Sequence, residues 1–328
     1  MVKQIYTNLN KTNEAPRNRG FLLAKKHILS ARQFSREEAV TLLGKAATFE
    51  KFNKPGRADT RLKGHIIATL FYEPSTRTRF SFETAAQNLG AFIISAENSS
   101  VSSSSVKGES LEDTIRIVGG YSDAIVLRHP ELGAAERAAR VSSIPIINAG
   151  DGAGSHPTQA LLDLYTIKKE LGRLADLKIA LVGDLLYGRA ARSFCQLISK
   201  FTNITIYLVS PAGLGLSGDV RNFLVNQGIT IFETSNLDKV IAEVDVLYMT
   251  RIQKERFENE KDYLKLKGSY KLNKRHLKKI KANSIILHPL PRVDEIDSEV
   301  DQDRRAAYFR QAANGVAVRM AVLDSILS

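Results

Sequence analysis

Residues 71–83, FYEPSTRTRFSFE, place three hydroxyls (Ser75, Thr76, Thr78) and two arginines (Arg77, Arg79) in one short stretch. An apolar run at 66–72 reads as a buried strand, and Phe82, Ala85, Ala86 and Leu89 then recur at helical spacing. A turn from strand to helix at this point leaves the backbone N–H groups of the first helical turn unpaired. It aims them, with the hydroxyls, into the positive end of the helix dipole. The chemistry that suits is anion binding, and the guanidinium forks of Arg77 and Arg79 match phosphate oxygens. A capped helix with two solvated arginines is the competing description.

Other candidates follow the same logic. Arg128 ends a strand at 123–127, and ligands of open parallel sheets gather outside the carboxyl ends of strands. The strand at 144–148 runs through Gly150-Asp151-Gly152-Ala153-Gly154 into His156-Pro157-Thr158-Gln159, the head of a helix expected over 158–171. Pro157 suits the first helical turn, leaving His156 at the sheet edge and Gln159 one turn in. A histidine near a helix N-terminus is disfavoured as a cation, so a neutral imidazole donating one hydrogen bond is expected. Capping or packing is the plainer role for it. Arg251-Ile252-Gln253-Lys254-Glu255-Arg256 follows a strand at 245–249, and the basic stretch 261–281 reads as a solvated charge run. After a strand at 285–287 comes HPLPRVDE, where two prolines stiffen the backbone around Leu290 so that its carbonyls can face a ligand.

The elements that must position these residues alternate between strand and helix. A helix over 33–52 opens with the capping-box spacing of Ser35 and Glu38, and strand, helix, strand through 66–95 makes a parallel crossover unit. A second series starts with LKIALVGD at 177–184 and continues with strands at 204–209 and 229–232, a helix at 237–244 and the strand 245–249. The start of that series looks like a dinucleotide fold, yet Leu185 stands at the second glycine of GxGxxG, and a dinucleotide would lose its close backbone approach. No cofactor is expected.

STRTR, KGESLEDTIR, HPTQ and HPLPRVDE, in this order, resemble the transcarbamoylase family, and most closely its aspartate-specific catalytic chains. The resemblance covers nearly all of the chain after residue 25. It implies two doubly wound parallel-sheet α/β domains linked by a long helix, with the C-terminal helix packing back on the first. The divisions expected are a flexible extension at 1–25, a carbamoyl phosphate domain at 26–156 plus 304–328, and an aspartate domain at 157–303. Direct carbamoyl transfer to L-aspartate is the implied reaction, with no metal, cofactor or protein nucleophile. Ser75, Thr76, Arg77, Thr78 and Arg128 would hold phosphate, joined by Lys107 and, by position, Ser103 from a neighbouring subunit. The catalytic set is Arg77, Thr78, Arg128 and His156. Gln159, Pro289 and Leu290 would orient the carbamoyl amide, and Arg189, Arg251, Gln253, Leu290 and Lys107 would take aspartate. Glu73 would pair with Arg189 and Arg256 in domain closure.

The ornithine-specific relatives share STRTR and HPTQ, but they have a cysteine where Pro289 stands and a serine-methionine-glycine segment missing here. A silent scaffold homologue would be expected to have lost an anion ligand. Two departures bear on subunit contacts: Ala190-Ala191-Arg192 replaces the usual Thr-Val-His or Thr-Val-Arg, and Leu186 stands where some members have lysine. The family acts as a homotrimer with shared active sites, in some members joined to separate regulatory chains.

Composition sets outer bounds. With 328 residues there is room for two domains. No apolar run approaches the length of a membrane span, and the polar, basic start lacks an apolar signal core, so no membrane partner is expected. A net charge of +12 invites nucleic acid, but the lysines and arginines are scattered and the aromatics do not interleave with them. Anionic small substrates suit the charge better. The one cysteine, Cys195, fits a reducing, cytoplasmic setting and excludes a multi-cysteine zinc site within the chain.

Overall fold

The computed structural model of the chain describes residues 3–6 (backbone), 26–52, 59–97, 108–254, 257 and 259–328. Two compact units are present: Pro16–Tyr165 with Ala313–Ser328, here the first unit, and Thr166–Ala312 with Met1–Ala15, the second. Both divisions fall inside helices, later in the chain than the 156/157 and 303/304 divisions read from the sequence. Within the extension at 1–25, Lys3–Tyr6 form a strand, β1, and the rest lies outside the described residues.

In the first unit, α1 (Arg36–Phe49) starts at Ser35, whose hydroxyl accepts from Glu38 N while the Glu38 carboxylate accepts from Ser35 N. Four strands follow: β2 (Ile66–Phe71), β3 (Phe92–Glu97), β4 (Ala124–His129) and β5 (Ile146–Asp151). They are all parallel, in the order β3-β2-β4-β5. The crossovers described are α2 (Thr76–Asn88), α3 (Leu111–Gly119) and α4 (Ala134–Val141). Central β2 is buried along nearly its whole length, whereas edge strand β3 leaves Phe92 exposed. Ala68, Leu70, Ile125, Leu127 and Ile146 form a core with Leu111 and Ile115 of α3 and Ala134 and Ala138 of α4. The chain then enters α5 (Pro157–Leu171).

The second unit contains β6 (Leu177–Val182), α6 (Arg189–Ile198), β7 (Ile204–Val209), α7 (Gly218–Asn226), β8 (Thr230–Thr234), β9 (Val246–Met249), α8 (Glu260–Leu266), α9 (Lys274–Leu277) and β10 (Ile285–Leu287). Its sheet order is β1-β8-β7-β6-β9-β10, parallel throughout except that β1 pairs antiparallel with β8. The helix expected over 237–244 is instead a single 3-10 turn, Leu237–Lys239, followed by turns. Leu237, Val240, Ile241 and Val244 still reach the core, as their spacing indicates. Val240, Ile241 and Val244 are β-branched, and Leu237 follows Asn236, whose side chain accepts from Asp238 N and favours a turn. Neither α8 nor α9 buries a residue, but the reading of 261–281 as only a solvated charge run is corrected by Tyr270, Leu272 and Ile280, which lie between and after these helices and are buried in the core. The chain ends in α10 (Tyr308–Leu327).

Both sheets share one topological property. In the first, the chain goes from β2 outward to β3 and then back across to β4; in the second, from β6 out to β8 and back across to β9. Each therefore has a switch point, between β2 and β4 and between β6 and β9, where loops from adjacent carboxyl ends diverge and a ligand can enter. STRTR and Arg128 flank the first switch point, and Asp184–Arg189 and Arg251–Gln253 belong to the loops at the second.

Candidate active site

At the first switch point, Phe71 lies opposite Arg128 and His129 opposite Asp151 in the parallel registers. The loops after β2, β4 and β5 thus leave one sheet edge together. Ser75 is the N-cap of α2, but its side chain makes no capping bond, and the first turn has no acidic residue. α1 and α3 differ: Ser35 and Ser110 cap them with side chains, and acids fill their first turns. The N–H groups at the start of α2 are accordingly not spent on a side-chain cap, and no carboxylate within that first turn opposes an incoming anion.

Thr78, Arg128, His156 and Gln159 are buried polar groups, each less than one tenth exposed, while Thr76 and Arg77 are exposed. The Arg128 guanidinium is held in place from two sides. Nη1 donates to Ala149 O at 3.3 Å and Nη2 lies 2.5 Å from Glu73 Oε1. Pairing with Glu73 is a structural finding, since the sequence suggested only Arg189 and Arg256 for that carboxylate. A guanidinium this deeply buried needs a countercharge, and Glu73 supplies it.

The two arginines of STRTR do not act alike. Arg79 pairs with Glu97 at 2.9 Å and Glu83 at 3.8 Å, and stacks on Phe80. This corrects the expectation that both forks serve one anion. Residues two apart on a helix point about 200° away from each other, so Arg77 and Arg79 cannot share a face.

Asp151 organises the approach to His156, and its part was not recognised from sequence. It is 2% exposed and accepts from Asn148 Nδ2 (2.9 Å), Gly133 N (3.0 Å) and Ser155 N (2.8 Å). Gly152, at φ +49, donates to His129 O, and a Cβ there would meet Pro130 O at 2.7 Å. His156 O accepts from the N–H groups of Gln159 and Ala160, so His156 stands where the helix begins, just before Pro157.

At the second switch point, Arg189 opens α6 behind Gly188, again with no side-chain cap and no acid in the first turn. The β6 and β9 ends meet almost backbone to backbone. Gly183 has φ +115, and a Cβ would fall 2.2 Å from Thr250 O. Thr250 N and Oγ1 both donate to Val182 O, at 2.8 and 2.9 Å. Asp184, fully buried, braces the two loops: its carboxylate accepts from Tyr187 N at 3.0 Å and, at a long 3.5 Å, from Gln253 Nε2. Burial raises its pKa, and the hydrogen bonds from Tyr187, Gln253 and Leu186 act in the opposite direction. The signal for both acids was local: an aspartate directly after an apolar strand and beside glycine, as in INAGD and LVGD.

The Pro289-Leu290 segment leaves β10, next to β9 in the sheet. Leu290 has φ +56, a costly conformation for leucine. Its N–H donates to His288 Nδ1 at 2.8 Å, and His288 Nε2 faces Glu295 Oε1 at 2.7 Å. An accepting Nδ1 puts the imidazole proton on Nε2, toward Glu295. Burial lowers the His288 pKa. Burial is the largest influence on Glu295 and acts to raise its pKa, but the interaction with His288 and the backbone N–H groups of Glu295 and Val293 together outweigh it, and the net shift is down. Arg292 pairs with Asp301 at 2.6 Å. Arg192, at one of the departures from the family pattern, pairs with Asp219 at 3.0 Å inside its own unit. Ser103, Lys107 and Arg256 lie outside the described residues.

Comparison with known proteins agrees with this division of labour. Residues 26–169 match the carbamoyl-P binding domain of aspartate/ornithine carbamoyltransferase, and residues 175–326 its Asp/Orn binding domain. The chain therefore belongs to the aspartate/ornithine carbamoyltransferase family, and within it to the aspartate carbamoyltransferase catalytic chains. The catalytic subunit from Methanocella arvoryzae is 51% identical over 92% of this chain and 97% of its own. The aspartate transcarbamoylase catalytic subunit of M. jannaschii superimposes with TM-score 0.84 at 50% identity, over 91% of this chain and 97% of that one. Aspartate transcarbamoylase from Trypanosoma cruzi, solved with carbamoyl phosphate and aspartate, does so with TM-score 0.89 at 41% identity, over 93% and 98%.

Proposed function

We propose that the chain transfers the carbamoyl group of carbamoyl phosphate to the amine of L-aspartate, giving N-carbamoyl-L-aspartate and phosphate. The observation that supports this most is the pair of switch points, each with an N-terminus lacking side-chain cap and acid beside an arginine at a neighbouring strand end. One suits a phosphate and the other a carboxylate.

Carbamoyl phosphate is a mixed anhydride and already activated, so the protein's task is to position and to stabilise charge. Ser75, Thr76, Arg77, Thr78 and Arg128 bind the phosphate. Thr78, Arg128 and His156 donate to the carbonyl oxygen as the aspartate amine attacks and negative charge builds there. Gln159 and the carbonyls of Pro289 and Leu290 orient the carbamoyl amide and the incoming amine. The carbonyl oxygen's charge collapses back, the C–O bond to phosphate breaks, and phosphate leaves with the electron pair and takes up the proton that the amine gives up. Arg189 binds the α-carboxylate and Arg251 the β-carboxylate, with Gln253 alongside, bidentate geometry setting the preference for a dicarboxylate. Lys107 and Ser103 reach the site of a neighbouring subunit in a homotrimer. We place this activity in the cytoplasm, on the ground of one buried cysteine; cell fractionation tests that.

The deciding assay is carbamoyl aspartate formation by the purified chain, with ornithine as competing acceptor and Arg251→Ala beside it. Loss of the β-carboxylate contact should cost on the order of 2 to 5 kcal/mol in transition-state binding. Turnover of ornithine in preference to aspartate would sink the reading.

A further inference from the structure

We propose that Asp163 is a positioning residue that fixes which way round the Gln159 amide lies, so that its carbonyl oxygen faces the carbamoyl group. The inference rests on the carbamoyl-orienting role given to Gln159 above.

A glutamine amide has a donor end and an acceptor end of nearly the same shape, and only the acceptor end can take an N–H from a carbamoyl group. In α5, Gln159 Nε2 donates to Asp163 Oδ1 at 2.8 Å, one turn along the same helix face. A carboxylate has no proton to give, so the reversed amide would set oxygen against oxygen. Asp163 thus admits a single orientation. It is also fully buried, and an ionised carboxylate in that position needs a cation.

Arg319 of α10 supplies it. This arginine is 3% exposed, its Nη1 donates to Ser81 Oγ of α2 at 2.8 Å, and its guanidinium packs 4.9 Å from the centre of the Phe82 ring. Burial lowers its pKa to about 10 while the charge of Asp163 pushes the other way, so it remains a cation at neutral pH. A second observation points to the same design. Gly315 lies one turn before Arg319, and a Cβ there would fall 2.3 Å from Arg319 Nη1 and 3.4 Å from Ser81 Oγ. Glycine inside a helix is destabilising relative to alanine. Here it clears the space in which the guanidinium lies. Three helices of the first unit, α2, α5 and α10, converge on this buried charge, and the Gln159 amide is the end of the network nearest the proposed chemistry.

The test compares the unaltered chain with Asp163→Asn, Arg319→Lys, Gly315→Ala, Gln159→Ala and the Gln159→Ala/Asp163→Asn double variant. Carbamoyl aspartate formation is measured with carbamoyl phosphate varied, and inorganic phosphate affinity by calorimetry. Asp163→Asn lets the amide lie either way, and kcat/KM for carbamoyl phosphate should fall about ten- to a hundredfold. Phosphate affinity should hold within about twofold, because phosphate does not meet this amide. The double variant should be no slower than Gln159→Ala alone, since nothing is left to orient. Arg319→Lys should retain part of the rate. Full activity of Asp163→Asn, losses that multiply in the double variant, or phosphate affinity falling in step with rate would overturn the proposal. If Asp163→Asn does not fold, Gly315→Ala and Arg319→Lys enter the same cycle with Gln159→Ala and decide it. An unaltered chain that makes no carbamoyl aspartate would instead overturn the carbamoyl-transfer reading, and this inference with it.

Discussion

Glu73 should compete with phosphate for Arg128, and replacing it with glutamine should tighten anion binding. The contact is a charge-assisted one at 2.5 Å, with the Arg128 side chain 10% exposed and that of Glu73 28%. A glutamine oxygen can still accept from the charged Arg128, so the substitution keeps the hydrogen bond and removes the ion-pair attraction. With Glu73 partly exposed that attraction is worth ~1 kcal/mol, which corresponds to about fivefold in Kd. Calorimetric titration of Glu73→Gln with inorganic phosphate should show that tightening. A second readout follows from the same affinity by linkage: at equal phosphate concentration the variant's melting temperature should rise more than that of the unaltered chain. Equal or weaker phosphate affinity in Glu73→Gln would refute the reasoning, because Arg128 would then bind the anion without giving up the carboxylate.

Three further outcomes follow from particular contacts. Arg77→Met should weaken phosphate affinity about tenfold or more, whereas Arg79→Met should leave it within about twofold and lower unfolding free energy by ~1 kcal/mol through loss of the Glu97 pair; calorimetry and urea titration separate the two. Gly183→Ala forces a Cβ to 2.2 Å from Thr250 O at φ +115, and should cost about 3 kcal/mol or more in urea titrations while raising KM for aspartate. Stability should fall as pH drops below 6.5, because unfolded His288 takes up a proton that the buried folded imidazole, its pKa lowered by desolvation, does not. The slope contributed is at most about 1.4 kcal/mol per pH unit and ends at the folded pKa. His288→Asn, which keeps an acceptor for Leu290 N, should flatten the stability profile below 6.5 and run parallel to the unaltered chain above it.

The parts of the candidate site that were legible in the sequence share one property: their place in the fold follows from backbone position. Ser75 to Thr78 at a strand-to-helix turn, Arg128 at a strand end and His156 before Pro157 are defined by hydrophobic period and helix-start signals a few residues long. Arg79 was misread although the information was local, since a helix turns about 100° per residue and its fork must point away from that of Arg77. The 3-10 turn at Leu237–Lys239 shows the converse, a helical spacing of Leu237, Val240, Ile241 and Val244 satisfied by turns that bury the same side chains. What lay beyond reach was the set of groups that orient the site. Asp184 meets Gln253 across 69 positions of chain, Glu73 meets Arg128 across 55, and Arg319 meets Ser81 across 238. No spacing rule spans such distances, because each pairing exists only after the sheet order has brought two carboxyl ends, or two helices, side by side. A carbamoyl transfer that uses no protein nucleophile depends on where donors point. The long-range pairs that do not touch the phosphate ligands, those of Asp184 and Arg319, are therefore where substitutions should change the rate while phosphate binding persists.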